Sequence, residues 1–115
     1  MNNVVLTGRL TKDVELRNTQ SNKHVTRFTL AVDRDKKDAG ADFVSCVAWD
    51  KTAEALQQYC RKGSKIAVNG RIQTGKYERN GQTVFTTDVV VGRLEFLETK
   101  PQEPKQDAYD DLPPF

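Results

Sequence analysis

Hydrophobic and polar side chains alternate with period two along most of the first hundred residues, which is the pattern of half-buried β-strands. The alternation predicts five strands, at Val4–Leu10, His24–Arg34, Phe43–Trp49, Lys65–Tyr77 and Thr83–Leu97. Gly8 lies inside the first of these strands, where a residue without a side chain is expected to mark a bend or a bulge. The pattern predicts an all-β protein.

One helical segment, Thr52–Cys60, interrupts the strands. Asp50 or Thr52 is expected to cap its start, and Gly63 is expected to end it. Between the last two strands, Asn80-Gly81 predicts a tight type I′ hairpin, because both residues tolerate positive φ. Three strands, one short helix between strands 3 and 4, and a two-stranded hairpin form the order of a five-stranded OB-fold barrel. Other small five-stranded barrels remain possible on this order alone.

Charge is distributed unevenly between the body of the chain and its end. Residues 1–99 carry a net charge of +4, whereas residues 100–115 carry −2 and contain several prolines and glutamines. That composition predicts one folded domain over 1–99 and a disordered acidic tail over 100–115. A basic body with an acidic tail suggests a domain that binds a polyanion and a separate end that binds protein.

Several classes of protein are excluded by what the sequence lacks. No stretch approaches the ~20 apolar residues of a membrane span, and the N-terminus has no signal-like segment, which predicts a cytosolic protein. Cys46 and Cys60 form no CxxC pair, and with the single His24 they make a zinc site unexpected. No nucleophile motif or glycine-rich phosphate loop is present. We therefore expect no enzyme activity and no cofactor.

The third strand has two faces of different character. If Val44, Cys46 and Ala48 fill the barrel interior, then Phe43 and Trp49 point outward, where large rings are costly unless a partner covers them. The opposite assignment, with both rings in the core, remains open, because the apolar Val47 lies on the same face as the rings.

Further aromatic residues lie in the predicted hairpin, namely Tyr77 at the end of the fourth strand and Phe85 just after the Asn-Gly turn. The basic residues around these aromatics are Arg9, Lys12, Arg34, Lys36, Lys37, Lys51, Lys62, Lys76 and Arg79. Aromatic rings interleaved with cations suit single-stranded nucleic acid, because rings stack on bases of any identity and cations track the phosphates.

Six segments in order resemble the single-stranded DNA-binding protein family of bacteria and phages. They are Asn3–Asp13, Glu15–Arg17, Phe28–Val32, Arg61–Ser64, Val68–Thr74 and Thr86–Val91. The resemblance covers essentially the whole chain. It implies an OB-fold that assembles into a homotetramer through pairing of first strands, and that wraps single-stranded DNA in the cytoplasm, associated with the nucleoid.

The resemblance also implies roles for particular residues. Phe43 and Trp49 stand where the family has base-stacking aromatics, Tyr77 stands at a third stacking position, and Phe85 lies near another aromatic contact. Lys51, Lys62 and Lys76 stand at positions that are basic along the DNA path. The acidic tip is implied to recruit replication, recombination and repair proteins, and it comprises Asp110, Asp111, Leu112, Pro113, Pro114 and Phe115.

Two other functions compete with the binding of single-stranded DNA. An OB-fold adaptor of the replisome would use the aromatic face to bind protein, although the interleaved cations favour DNA. A small OB-fold nuclease would need clustered carboxylates or a metal site, and the sequence shows neither.

Overall fold

The computed structural model describes residues 1–36 and 39–98. Its elements are β1 (Val4–Leu10), β2 (Arg17–Asn18), β3 (His24–Asp33), β4 (Ala41–Trp49), α1 (Asp50–Tyr59), β5 (Lys65–Arg79) and β6 (Gln82–Glu98). The five predicted strands and the helix are all present, with ends that differ by no more than a few residues. The sequence did not predict β2, because two residues are too few to show an alternating pattern.

Five of the strands form a closed ring. Neighbouring strands follow the order β1-β5-β6-β4-β3, and β1 also pairs with β3, which closes the barrel. Every pairing is antiparallel except that of β4 with β6. The strand β1 pairs with β5 from Val4 to Arg9 and with β3 at Arg9 and Leu10, so it changes neighbour near its end. The short β2 adds to the free edge of β3.

The core lies inside this ring, under the helix. The most completely buried apolar side chains come from four different elements and are Leu30, Cys46, Ala48, Ala53, Leu56 and Ile66. In β3, Thr26 and Phe28 share the buried face with Leu30, as the alternating pattern predicts. The burial of Cys46 confirms its expected place in the core.

Gly8 permits a close approach of two strands where the barrel closes. A Cβ atom at this position would lie 2.6 Å from the carbonyl oxygen of Ala31 on β3. The pairing of β1 with β5 runs from Val4 to Arg9 without a register shift, so of the two expected features, a bend or a bulge, the bulge is absent. The missing side chain serves backbone packing between β1 and β3.

The expected helix boundaries need correction at both ends. Strand β4 runs directly into α1, so Trp49 is the N-cap residue and no side-chain hydrogen bond caps the helix. Asp50 is already the first helical residue, and Thr52 lies within the first turn. The helix ends at Tyr59, and Gly63 belongs to a later turn in which the Ser64 N–H donates to the Arg61 carbonyl at 2.9 Å.

The β5–β6 hairpin reaches well beyond the barrel. Asn80 (φ 53°) and Gly81 (φ 79°) both have positive φ, as the predicted type I′ turn requires. The strands pair continuously from Ile72↔Val89 to Arg79↔Gln82; all residues of the β5 side are exposed, whereas on the β6 side Val84, Thr86 and Asp88 are half-buried and Val89 is buried. The arm therefore projects beside the outer face of β4.

Candidate nucleic-acid interface

The outer face of β4 presents two aromatic rings. Phe43 is 69% exposed and Trp49 is 41% exposed, whereas Cys46 and Ala48, which alternate with them, are fully buried. The predicted orientation of the strand is confirmed, and the opposite assignment is excluded. Val47 faces the same side as the rings but is only 8% exposed. Its register partners are Arg27 on β3 and Val90 on β6, so a charged and an apolar residue flank it between the two rings.

A groove of about 750 Å³ lies next to Trp49, between β3, β4 and the segment that follows β1. Its cationic lining residues are Lys12, Arg17 and Arg27, and Asp13 and Glu15 contribute acidic groups. Arg17 pairs in register with Val25, which pairs in turn with Trp49, so the cation and the ring lie in one row across three strands. Lys12 was predicted from the sequence, but Arg17 and Arg27 were not.

A hydrogen-bonded cluster joins three strands on this face. The Asp88 Oδ1 atom of β6 accepts hydrogen bonds from Arg27 Nη1 of β3 at 2.7 Å and from Ser45 Oγ of β4 at 2.7 Å. The register brings these residues together, since β3 and β6 flank β4 on either side. The cluster lies between the outer face of β4 and the base of the hairpin.

Tyr77 lies on the same side of the hairpin as this cluster. Its register partner is Val84, which is four residues from Asp88 along β6 and so shares its face. The ring is 48% exposed. Arg79, the last residue of β5, follows Tyr77 at a spacing of two and lies on that face as well. The structure thus extends the aromatic face of β4 along the hairpin.

Phe85 and Lys76 lie on the other side of the hairpin. They are register partners, and both alternate with Tyr77 and Val84. Phe85 is 77% exposed, the largest exposed fraction among the aromatic side chains of the described residues. The structure therefore does not bring Phe85 and Lys76 together with Phe43, Trp49 and Tyr77. The sequence held a signal for this division, because a two-residue turn fixes which residues face each other.

Three other predicted cations, Lys62, Lys51 and Arg9, lie at separate places on the barrel. Lys62 follows the helix, and its backbone N–H donates to the Asp13 carboxylate at 2.8 Å, so it lies beside the groove. Lys51 is exposed in the first turn of α1. Arg9 is partly buried and ion-paired, with its Nη1 atom 3.2 Å from Glu98 Oε1.

The loop between β3 and β4 holds Arg34 in a local contact. Its Nε and Nη2 atoms donate to Asp42 Oδ1 at 2.9 and 2.8 Å, and this contact raises the pKa of the exposed guanidinium. Lys36 is exposed in the same loop. Lys37 lies outside the described residues, as does the tip from Asp110 to Phe115.

No group of three or more potential metal ligands occurs within the described residues. His24 Nε2 lies 3.7 Å from Oε2 of Glu54, a residue of α1. Burial, with a smaller effect of Asp88, raises the pKa of the Cys46 thiol to about 12, and burial alone raises that of Cys60 to about 11. No described helix is both long enough and apolar enough to cross a membrane.

A closed five-stranded barrel with an exposed aromatic and basic face defines an OB-fold protein of the oligonucleotide-binding class. The model of the single-strand binding protein family matches residues 1–97. The chain belongs to this family, which confirms the resemblance and the predicted fold and identifies a binding protein rather than an enzyme.

Individual relatives extend the similarity over nearly the whole chain. Single-stranded DNA-binding protein 4 of Streptococcus agalactiae is 47% identical over 120 residues, covering 99% of this chain and 87% of the relative. Single-stranded DNA-binding protein 1 of Streptococcus pyogenes is 50% identical over 87% of the chain and 81% of its own length. Single-stranded DNA-binding protein B of Bacillus subtilis is 46% identical over 92% of the chain and 98% of its own length.

Proposed function

We propose that this chain coats and protects single-stranded DNA without reading its sequence. The observation that carries the proposal is the set of three exposed rings, Phe43, Trp49 and Tyr77, on one continuous face beside a groove with three cationic residues. Successive bases stack on these rings, and the phosphates between them contact the cations. Family membership and the names of the relatives support the same ligand.

The energetics of this face favour tight binding without specificity. Stacking one base on an aromatic side chain contributes ~1–3 kcal/mol and accepts any base, since every base has a π-face. We assign the phosphate contacts to Lys12, Arg17 and Arg27, which line the groove, to Lys62 beside it, and to Arg79 on the same face of the hairpin as Tyr77. Such contacts release counterions, so the affinity falls as the salt concentration rises.

Trp49 provides a direct test, because it is the only tryptophan of the chain. Titration with oligo-dT is expected to quench its fluorescence, and rising salt should reverse the effect. Unchanged fluorescence together with no gel shift at low salt would contradict the proposal. If DNA binding were absent but a helicase or repair protein still bound the aromatic face, the adaptor function would replace it.

The remaining predicted cations and Phe85 are proposed as contacts for a longer strand. Phe85 and Lys76 lie on the far side of the hairpin, so they can contact only DNA that passes around its tip. Arg9, Arg34, Lys36, Lys37 and Lys51 are proposed as secondary phosphate contacts. Their role should therefore become visible with long oligonucleotides and be small with oligonucleotides of a few bases.

We also propose that the chain works as a homotetramer whose first strands pair with each other. From Val4 to Thr7, β1 pairs with β5 on one side and with no strand on the other within the described residues. Such an edge is a template for a second strand, and Val5 is exposed beside it. Light scattering should give a mass of about four 13.0-kDa chains, and a monomeric mass would contradict the assembly.

The tip from Asp110 to Phe115 is proposed to recruit replication, recombination and repair proteins to DNA that the barrel has bound. Two side-chain carboxylates and an aromatic ring occur there within six residues, which suits an apolar pocket with a basic rim. Removing residues 110–115 should abolish binding to a purified helicase or repair enzyme and leave oligo-dT binding intact. Retained partner binding would contradict this role.

A further inference from the structure

Arg27 occupies the middle of the aromatic face. It pairs in register with Val47, two residues from Trp49 along β4, and it lines the same groove as Trp49. Its side chain is 63% exposed, although it makes an ion pair with Asp88. The structure thus has an exposed cation on the same outer face as Trp49, in contact with Asp88 of β6.

Only one end of the Arg27 guanidinium takes part in the cluster. Nη1 donates to Asp88 Oδ1 at 2.7 Å and is 3.4 Å from Ser45 Oγ. The Nε and Nη2 groups make no hydrogen bond to any described residue. A guanidinium has five N–H donors in a fixed plane, so a group held at one nitrogen presents the others in a defined direction.

Asp88 is the less exposed member of the pair. Its side chain is 15% exposed, and its Oδ1 atom is fixed by the Ser45 hydroxyl as well as by Arg27. A carboxylate in this position opposes the approach of phosphates unless a cation neutralises it. Arg27 is the cation in contact with it among the described residues.

We propose that Arg27 is a DNA-binding residue of this face and that Asp88 and Ser45 hold it in place. The inference rests on the proposed binding of single-stranded DNA. Arg27 has two roles in it: its outward N–H groups contact a phosphate or a base edge, and its charge neutralises Asp88. Loss of Arg27 therefore removes a contact and also leaves an uncompensated negative charge in the path of the DNA.

The test compares the variants Arg27→Ala, Asp88→Asn and the double variant Arg27→Ala/Asp88→Asn by titration of fluorescently labelled oligo-dT at several salt concentrations. Arg27→Ala should bind at least ~10-fold more weakly at low salt, and the slope of log K against log salt should fall by ~0.7, the value for one contact on a single strand. The double variant should recover at least ~3-fold of that loss, because the repelling carboxylate is gone.

Lys23→Ala is the matched control, because Lys23 is an exposed cation outside the groove and the cluster. It should change the affinity less than ~2-fold and leave the salt slope unchanged. Thermal unfolding of each variant separates binding from stability, since an exposed ion pair that only joined two strands would change the melting temperature alone.

Two results would overturn the proposal. The first is wild-type affinity and salt slope for Arg27→Ala, with or without a lower melting temperature. The second is a double variant that binds no better than Arg27→Ala. Failure of the underlying DNA-binding function is distinguishable from both, because the wild-type protein would then bind no oligo-dT. If Arg27→Ala failed to fold, Arg27→Lys would replace it, with weaker binding at retained charge supporting the guanidinium contact.

Discussion

Tyr77 and Phe85 lie on opposite faces of the β5–β6 hairpin, although both rings are exposed. Tyr77 opposes Val84, whereas Phe85 opposes Lys76, so the alternation of side chains separates them. A strand of DNA that lies on β4 can reach Tyr77 without leaving the outer face of the barrel. To reach Phe85 it has to pass around the hairpin. Phe43, Trp49 and Tyr77 therefore form one group of aromatic residues and Phe85 forms another, and the two groups are expected to contribute differently to the affinity for DNA.

Trp49→Ala is expected to weaken binding of labelled oligo-dT by ~1–3 kcal/mol for each engaged site, because one stacked base is lost. Tyr59→Ala is the matched control. Tyr59 is an exposed aromatic at the end of α1, packed edge-to-face on Phe96 and remote from the groove. Equal losses of affinity for Trp49→Ala and Tyr59→Ala would contradict base stacking on Trp49.

Tyr77→Ala should reduce the affinity for a short oligo-dT more than Phe85→Ala does. The difference follows from the placement of Tyr77 on the face of the hairpin that carries Asp88 and of Phe85 on the reverse face. Fluorescence anisotropy with oligonucleotides of increasing length is the measurement. The effect of Phe85→Ala should grow with length, and a larger effect of Phe85→Ala on the shortest oligonucleotide would contradict the two groups.

Gly8→Ala should destabilise the barrel by ~1–3 kcal/mol, because the new methyl group would overlap the Ala31 carbonyl oxygen. Gly92→Ala is the control, since a Cβ atom there would meet its nearest neighbour, the Asn69 carbonyl oxygen, at an ordinary 3.5 Å. Urea unfolding followed by circular dichroism gives both free energies. Equal stability of the two variants would refute the close approach of β1 and β3.

Buried Cys46 and Cys60 should resist thiol reagents in the folded protein at pH 8 and react fully after unfolding. The thiolate is the reactive form, and burial raises both thiol pKa values, to about 12 and about 11. Rapid modification of the native protein would contradict this burial.

The same pKa shifts predict how stability depends on pH. In the unfolded chain the thiols ionise near the ordinary pKa of 9.0, while in the folded barrel they stay protonated to higher pH. Their contribution to stability is complete below pH 9 and is lost as the pH rises towards 11 or 12. Cys60→Ala should show a smaller loss of unfolding free energy between pH 8 and pH 10 than the wild type, measured by urea unfolding.

Local sequence patterns predicted the five long strands, the helix and the hairpin turn, and they predicted the aromatic residues of the candidate interface. The alternation in β4 put Cys46 on one face and Phe43 and Trp49 on the other, the exposure of the rings decided which face is outside, and Asn80-Gly81 alone predicted the hairpin turn. The predicted cap at Asp50 was wrong, because β4 passes into α1 with no linking residue. The N-cap position is filled by Trp49, whose indole can donate but not accept a hydrogen bond, and the local pattern does not show that the helix starts there.

The positions of Arg17 and Arg27 could not be predicted in the same way. Each is one of many charged residues along the chain; Arg17 ends the segment Glu15–Arg17 but was given no role there, and Arg27 lies outside all six segments. They become part of the interface because strand register sets Arg17 in the row of Trp49 and sets Arg27 beside Val47 and Asp88. Register depends on contacts between residues that are far apart in sequence.

The sequence by itself determined which side chains share a face of each strand, where the chain turns, and that rings and cations are interleaved, because a strand has a period of two and a tight turn needs positive φ. Only the tertiary structure decided which of these groups meet. Pairing across β3, β4 and β6 joined Arg27, Ser45 and Asp88. The projecting hairpin set Tyr77 on the aromatic face and Phe85 on the opposite face. Both results depend on closure of the barrel and on strand register, which are set by the packing of the whole barrel.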